Sequence, residues 1–158
     1  MYRILIVEDD RTNRLFYEKL PVWQQEGFVI GGQAENGKKA LEQMETEQFD
    51  AFFVDVMMPV MNGLEFLQEL KNRGITAPRI IISNYNEFAY VRQGMKLGAM
   101  DYLLKPVTEE ELQECLRTVR EELESEREQN VEEQIFLACG ADVHSGFVQK
   151  LMQYFQEH

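Results

Sequence analysis

Ile4-Leu5-Ile6-Val7-Glu8-Asp9-Asp10 sets four consecutive apolar residues directly against three carboxylates. A short run that is apolar at every position fits a strand buried on both faces, because a strand with one wet face would alternate with polar residues. Outward from this stretch, Phe28–Gln33, Ala51–Val54, Arg79–Ser83 and Asp101–Leu104 read as four further strands. Amphipathic segments separate them. A helix over Thr12–Lys19 is interrupted by Pro21, and the Asn36-Gly37 turn leads into a helix over Lys38–Met44. Pro59 and Asn62-Gly63 mark a loop before a helix over Leu64–Lys71, and another helix is expected over Glu87–Lys96. A long helix begins after Thr108, its N-cap, with Glu111 three residues on in the capping-box arrangement.

Five strands, each followed by a helix, predict a parallel sheet covered on both faces. Crossovers between parallel strands are right-handed almost without exception, which leaves a doubly wound open sheet as the simplest α/β packing. Five units are too few for an eight-stranded barrel. In such sheets the reactive groups gather at the carboxyl ends of the strands, near the point where strand order reverses.

That rule can be applied residue by residue. Glu8, Asp9 and Asp10 follow the first strand, Asp55 the third, Ser83 the fourth and Lys105-Pro106 the fifth. Clustered carboxylates repel one another unless a cation or a proton neutralises them. A hard divalent ion with oxygen ligands fits, and the same ion offsets charge on a phosphoryl group passing to a carboxylate. Lys105 and Ser83 would hold the remaining phosphoryl oxygens. Asp55, on the middle strand by chain order, is the better nucleophile, and Asp9 the better metal ligand; Asp10 suits the turn or the N-cap of the next helix. Met57, Met58 and Met61 do not suit a carboxylate site and are expected to pack. Gly31, Gly32 and Gly37 do not make a dinucleotide fingerprint.

Composition narrows the partners. The 158 residues carry a net charge of −12, and hydrophobic residues make up 44%. Nucleic acid and anionic membrane surfaces would repel such a chain. The charge is uneven: residues 108–158 hold 4 basic and 13 acidic side chains and supply −9 of the total. Cys115 and Cys139 lack metal-ligand spacing and are expected to be reduced thiols. The first residues lack the pattern of a signal peptide, and no apolar stretch approaches the roughly 20 residues needed to span a bilayer. A cytoplasmic protein without membrane contact is the expectation.

The combination resembles the receiver domain of bacterial two-component response regulators. The matching stretches are Ile4–Asp10, Val54-Asp55-Val56-Met57-Met58-Pro59 with Asn62-Gly63, Ile80–Ser83, and Gly98–Pro106. The resemblance covers about residues 2–125 and implies a flavodoxin-like sheet of strand order 2-1-3-4-5. It implies that Asp55 accepts a phosphoryl group from a sensor histidine kinase. Mg²⁺ (or Mn²⁺) would be held by Glu8, Asp9, Asp55 and the backbone carbonyl of Met57. By the same resemblance Ser83, Asp55 and Lys105 form the catalytic set, Ser83 and Tyr102 the switch, and the Lys105-Pro106 bond is cis. The domain would be a switch that catalyses its own phosphorylation and dephosphorylation rather than an enzyme of turnover. Met57 and Tyr85 fill positions that the family places beside the path of the hydrolytic water, and neither carries a group to orient it. A slowly hydrolysing aspartyl phosphate is therefore expected.

Trp23–Phe28, Ala34-Glu35-Asn36-Gly37 and Ser83–Phe88 are similar to the branch whose regulators carry an AraC-type DNA-binding domain. No helix-turn-helix or basic patch follows the receiver, so the chain is expected to be a piece of a longer regulator that meets DNA only through an absent effector domain. The division expected is a receiver over 1–125 and a helical extension over 126–158. The last receiver helix should pack on the sheet and run to about Leu137, with Gly140 ending it. Its seam of Leu112, Leu116, Val119 and Leu123 is too short for a firm coiled coil. Phe147, Val148, Leu151, Met152 and Phe155 make a second amphipathic stripe. A homodimer through these C-terminal helices, or through the face around strands four and five, is one expected partner.

Two alternatives stand beside the switch. A haloacid-dehalogenase-like phosphatase also uses an aspartyl nucleophile, but wants a second Asp two residues on, where this chain has Met57. A pure binding module on the same sheet would not need the Asp55–Lys105 pairing.

Overall fold

Each apolar run read as a strand is one. The computed structural model describes residues 1–84, 87–139 and 145–157. Strands β1 (Tyr2–Val7), β2 (Phe28–Ala34), β3 (Ala51–Asp55), β4 (Arg79–Ser83) and β5 (Asp101–Leu104) pair in parallel in the order β2-β1-β3-β4-β5. Helices α1 (Arg11–Lys19), α2 (Val22–Gln25), α3 (Gly37–Met44), α4 (Gly63–Asn72), α5 (Phe88–Lys96), α6 (Glu109–Cys139) and α7 (Ser145–Glu157) complete the described chain. Strand order reverses across β1 and β3, so the ends of those two strands frame a crevice. No helix among the described residues is long and apolar enough to cross a membrane.

Every residue of β3 and β4 is buried, as central strands covered on both faces require. One face carries Phe52, Val54, Phe66, Leu67, Leu70 and Ile81 into a continuous apolar core. On the other face Trp23 stands edge-on to Phe53 with ring centres 5.1 Å apart, and its indole N–H donates to the Tyr17 carbonyl at 2.8 Å. Leu112, Leu116 and Val119 of α6 are buried as well. The seam read from the sequence therefore serves, in this part of α6, as core of the receiver.

The helix starts show why these segments begin where they do. Asp10 caps α1, its Oδ1 accepting from the Thr12 and Asn13 amides at 2.7 and 3.3 Å. Asn36 caps α3 through the Lys39 amide, and Asn62 forms a complete capping box with Glu65 at the start of α4. Thr108 Oγ1 accepts from the Glu111 amide at 3.2 Å. Val60, exposed in the loop before α4, takes φ 69°, a left-handed conformation that β-branched residues rarely adopt. The segment after Pro21 is a one-turn helix rather than a plain break, because Pro starts helices readily.

Contacts divide the chain into two units, Met1–Arg120 and Glu121–His158. Within the first, Glu26 is buried and binds α6. Its Oε1 accepts from Gln113 Nε2 at 2.9 Å and Arg117 Nε at 3.3 Å, while Arg120 Nη1 donates to its Oε2 and to its backbone carbonyl, both at 2.9 Å. These donors, Gln113 foremost, hold the Glu26 carboxyl below its ordinary pKa. Within the second unit, Arg127 Nη2 donates to the Phe155 carbonyl at 3.0 Å and Gln156 Nε2 to Glu128 Oε1 at 2.7 Å. The expected stop at Gly140 lies outside the described residues, as do the Phe147, Val148 and Leu151 side chains of the expected stripe.

Candidate functional site

The carboxyl ends of β1, β3 and β5 bring Glu8, Asp55 and Lys105 together. Glu8 follows β1 and is tied to β2 by its amide, which donates to the Ala34 carbonyl at 2.9 Å. Its side chain is 1% exposed, and Oε1 accepts from Asn13 Nδ2 at 3.2 Å, from the Asp10 amide at 3.3 Å and from Lys105 Nζ at 3.5 Å. Oε2 stands 3.2 Å from the same ammonium, an ion-pair contact without hydrogen-bond alignment. Arg14 reaches back from α1 to the Glu8 and Asp9 carbonyls at 2.7 and 3.1 Å, fixing the turn that presents both acids.

Asp55 closes β3 and is buried. Lys105 Nζ donates to its Oδ2 at 3.2 Å, whereas its Oδ1 is buried with no hydrogen-bond partner among the described residues. The backbone beneath it is crowded by design of the sequence. Gly63 opens α4 so close that a Cβ there would come within 2.2 Å of the Asp55 carbonyl oxygen, and its amide donates to the Val56 carbonyl at 2.9 Å. Asn62-Gly63, read first as a loop signal, also lets the helix start touch the strand end, because Gly63 has no Cβ to collide with it.

Lys105 is placed by a cis peptide bond to Pro106 and by its own amide, which donates to the Ser83 carbonyl at 2.8 Å. Ser83 Oγ is fully buried and, among the described residues, has no hydrogen-bond partner. Tyr102 on β5 is 42% exposed. Met57 is half exposed and lines the same cleft as the acids, a space of about 730 Å³. Tyr85, paired with Met57 in the sequence reading, lies outside the described residues.

Electrostatics follow from this packing. Burial and then the Glu8 charge raise the Asp55 carboxyl to about 7, against the opposing pull of Lys105. Burial alone would weaken the Lys105 ammonium, yet the charges of Asp55 and Glu8 outweigh it and hold the proton on more firmly than usual. Glu8, Asp9 and Asp55 each offer a carboxylate oxygen, and these oxygens lie within 4.8 Å of one another. An all-oxygen donor set of this size, with a buried Asp55 oxygen that has no hydrogen-bond partner among the described residues, fits a hard divalent cation. Asp10 takes no part, its side chain being spent on the α1 cap.

Two residues at the site carried no signal in the sequence alone. Asn13 and Tyr17 sit four apart on α1 and so share one helix face, the face turned to the carboxylates. That periodicity was legible, but their polarity looked like ordinary helix surface until the helix was seated over the site.

The family described as "Response regulator receiver domain" matches residues 4–117. Among curated proteins, the transcriptional regulatory protein YdfI of Bacillus subtilis (strain 168) is 38% identical over 112 residues, covering 71% of this chain and 52% of that protein. YesN, a transcriptional regulatory protein of the same organism, is 32% identical over 123 residues, covering 78% of this chain and 33% of YesN. The chain thus spans only a third to about half of the curated relatives it matches. Among solved structures, the REC domain of AraT, a response regulator from Geobacillus stearothermophilus, superposes with a TM-score of 0.74 at 32% identity, covering 80% of this chain and 98% of that domain.

Proposed function

The chain belongs to the response regulator receiver family, a class of phosphorylation-based switches, and from that premise we propose that Asp55 is its phosphoacceptor. The observation that carries this reading is the 3.2 Å contact between Lys105 Nζ and a buried Asp55 carboxylate, beside the oxygens of Glu8 and Asp9. A carboxylate so placed has little use in packing, since burying like charges costs free energy that one ammonium offsets only in part and a bound cation would offset further.

In the proposed reaction an Asp55 oxygen attacks the phosphorus of a phosphohistidine on a sensor histidine kinase. A P–O bond forms, the P–N bond breaks, and its electron pair leaves with the imidazole. Glu8, Asp9, Asp55 and the Met57 carbonyl are the residues that would hold Mg²⁺, which when bound supplies charge neutralisation for the phosphoryl oxygens. Lys105 pairs with a phosphoryl oxygen, and the unengaged Ser83 hydroxyl turns to another. Withdrawal of Ser83 lets Tyr102 move, which alters the face around β4 and β5.

The receiver, over 1–125 with a helical extension beyond, would then control a transcriptional output domain. The transcriptional relatives support that output, and the segments Trp23–Phe28, Ala34–Gly37 and Ser83–Phe88 favour the AraC-type branch. A homodimer through the C-terminal helices, or through the face around β4 and β5, is the form proposed to carry the signal onward.

The test is Mg²⁺-dependent labelling by acetyl phosphate, read as intact mass. Wild type should gain one phosphoryl group and Asp55→Asn none. Labelling of the Asn variant at the wild-type rate would place the acceptor elsewhere.

A further inference from the structure

Glu26 has no part in the cleft. It follows the one-turn helix α2 and is 6% exposed. Its own side of the contact with α6 is fixed. The Glu26 amide donates to the Val22 carbonyl at 3.0 Å, and Trp23 beside it stands edge-on to Phe53. The Gly27 carbonyl then accepts from the Tyr2 amide at 3.0 Å, tying the next residue to β1. A buried carboxylate on so fixed a backbone is costly unless donors come to it. Among the described residues, its side-chain donors all come from α6: Gln113, Arg117 and Arg120.

Spacings of four and then three place those donors in one stripe along the helix. One residue earlier at each step runs the buried apolar stripe Leu112, Leu116 and Val119, which Leu123 continues. The two stripes act differently. Apolar contact is non-directional, so a repeat of similar side chains specifies register weakly. Donors that converge on one carboxylate specify it strongly. Sliding α6 by four residues would bring to Glu26 either Arg117, Glu121 and Glu124, or Glu109, Gln113 and Leu116. Sliding it by three would bring either Leu116, Arg120 and Leu123, or Glu110, Glu114 and Arg117. Each slip keeps a single donor, and most of them set new carboxylates against the buried one. Only the observed register satisfies Glu26.

The contact also lies where α6 leaves the receiver. Arg120 ends the first compact unit, and the helix runs on unbroken to Cys139. At that exit Arg120 Nη1 spans Glu26 Oε2 and the Glu26 carbonyl, both at 2.9 Å. We propose that Glu26 is a latch, one buried carboxylate that holds the exit turns of α6 on the receiver in their observed register. With the latch broken, those turns open locally while the sheet and the cleft stay folded. Nothing in this depends on the phosphoacceptor reading.

Hydrogen–deuterium exchange of the full chain, read by peptide mass, tests it. The proteins are wild type, Glu26→Gln, Glu26→Ala, Arg120→Gln and the double variant Glu26→Ala with Arg120→Gln. Gln keeps the side-chain length and one acceptor oxygen, whereas Ala removes both acceptors. In Glu26→Ala, amides of residues 113–120 should exchange about tenfold faster, the scale of one charge-assisted hydrogen bond. Glu26→Gln should show a smaller acceleration over the same residues. Peptides from β1 and β3 should keep wild-type protection in both. Arg120→Gln should add little to Glu26→Ala, since its partner is already gone. Wild-type exchange over 113–120 in Glu26→Ala would overturn the latch, because the apolar stripe alone would then hold the helix. Equal acceleration in β1 and β3 would overturn it too, the carboxylate then supporting the whole fold rather than one helix. So would full additivity in the double variant. Should Glu26→Ala be unfolded, Glu26→Gln decides by the same comparison of α6 with the sheet.

Discussion

Lys105 Nζ bridges two buried carboxylates, 3.2 Å from Asp55 Oδ2 and 3.2 Å from Glu8 Oε2. One ammonium thus answers two like charges drawn from different strands, and it does so from a third strand end. Asp9 adds a third carboxylate oxygen within 4.8 Å of these two, more negative charge than one ammonium balances.

Removing that ammonium should expose the repulsion directly. In Lys105→Met, folded in chelator at neutral pH, the chain is expected to lose about 3 kcal/mol, the usual scale for stripping one partner from a buried ion pair. Urea melts measure it. The loss should shrink toward pH 5, where one carboxylate can take up a proton. Labelling by acetyl phosphate at saturating Mg²⁺ should fall about a hundredfold, as when a donor to a transferring group's oxygens is lost.

The pH dependence of stability has a definite sign. The Asp55 carboxyl titrates at about 7 when folded and near 4 when unfolded, so between those values the folded chain binds more protons. Stability of the metal-free protein contributed by this group therefore falls as pH rises from about 4 to 7. Asp55→Asn should remove that slope and be the more stable protein at pH 8 in chelator. Unfolding curves at a series of pH values decide it; parallel slopes for the two proteins would mean the carboxyl is not raised.

Gly63→Ala tests the close approach under the site. The new methyl would sit 2.2 Å from the Asp55 carbonyl oxygen and 2.9 Å from Val56 Cα, both backbone atoms that cannot swing aside. A cost of about 1–3 kcal/mol is expected, as for other overpacked positions, visible as a lower melting temperature. Because the strain falls on the peptide of Asp55, the proposed acceptor, labelling should slow even at temperatures where the variant is fully folded.

The central strands were legible because burial on both faces leaves an unbroken apolar signal, and polar residues at their ends, Glu8 after β1 and Asp55 at the end of β3, mark the crevice; β5 is mostly exposed, so Lys105 was found by its place after the run. The convergence of Glu8, Asp55 and Lys105 needed only strand order. What stayed hidden depended on partners distant in sequence. Glu26 reads as a surface acid in Gln25-Glu26-Gly27, and only the seating of α6 supplies Gln113, Arg117 and Arg120 to bury it. Val60 gave no hint of the left-handed backbone it takes in the loop before α4. Helix limits shifted by a residue or two, as at α1, which starts at Arg11 once Asp10 is its cap.

Met57 bears on how long the phosphorylated state lasts. Its side chain is half exposed on the wall of the cleft, two residues after the proposed acceptor Asp55 and beside the path we propose for an attacking water. A thioether is a weak acceptor and no donor, so it can neither orient a water nor take its proton. It does present apolar surface to the approach. Met57→Asn replaces this with an amide of smaller volume that both donates and accepts. We expect loss of phosphate to speed up severalfold in that variant, while the rate of labelling changes little, since labelling depends on Lys105 and the metal seat rather than on water. Phosphate release followed after removal of acetyl phosphate gives the rate. Equal rates in the two proteins would show that Met57 only packs against the loop, and a wild-type lifetime of seconds would remove the premise that this cleft protects its phosphoryl group.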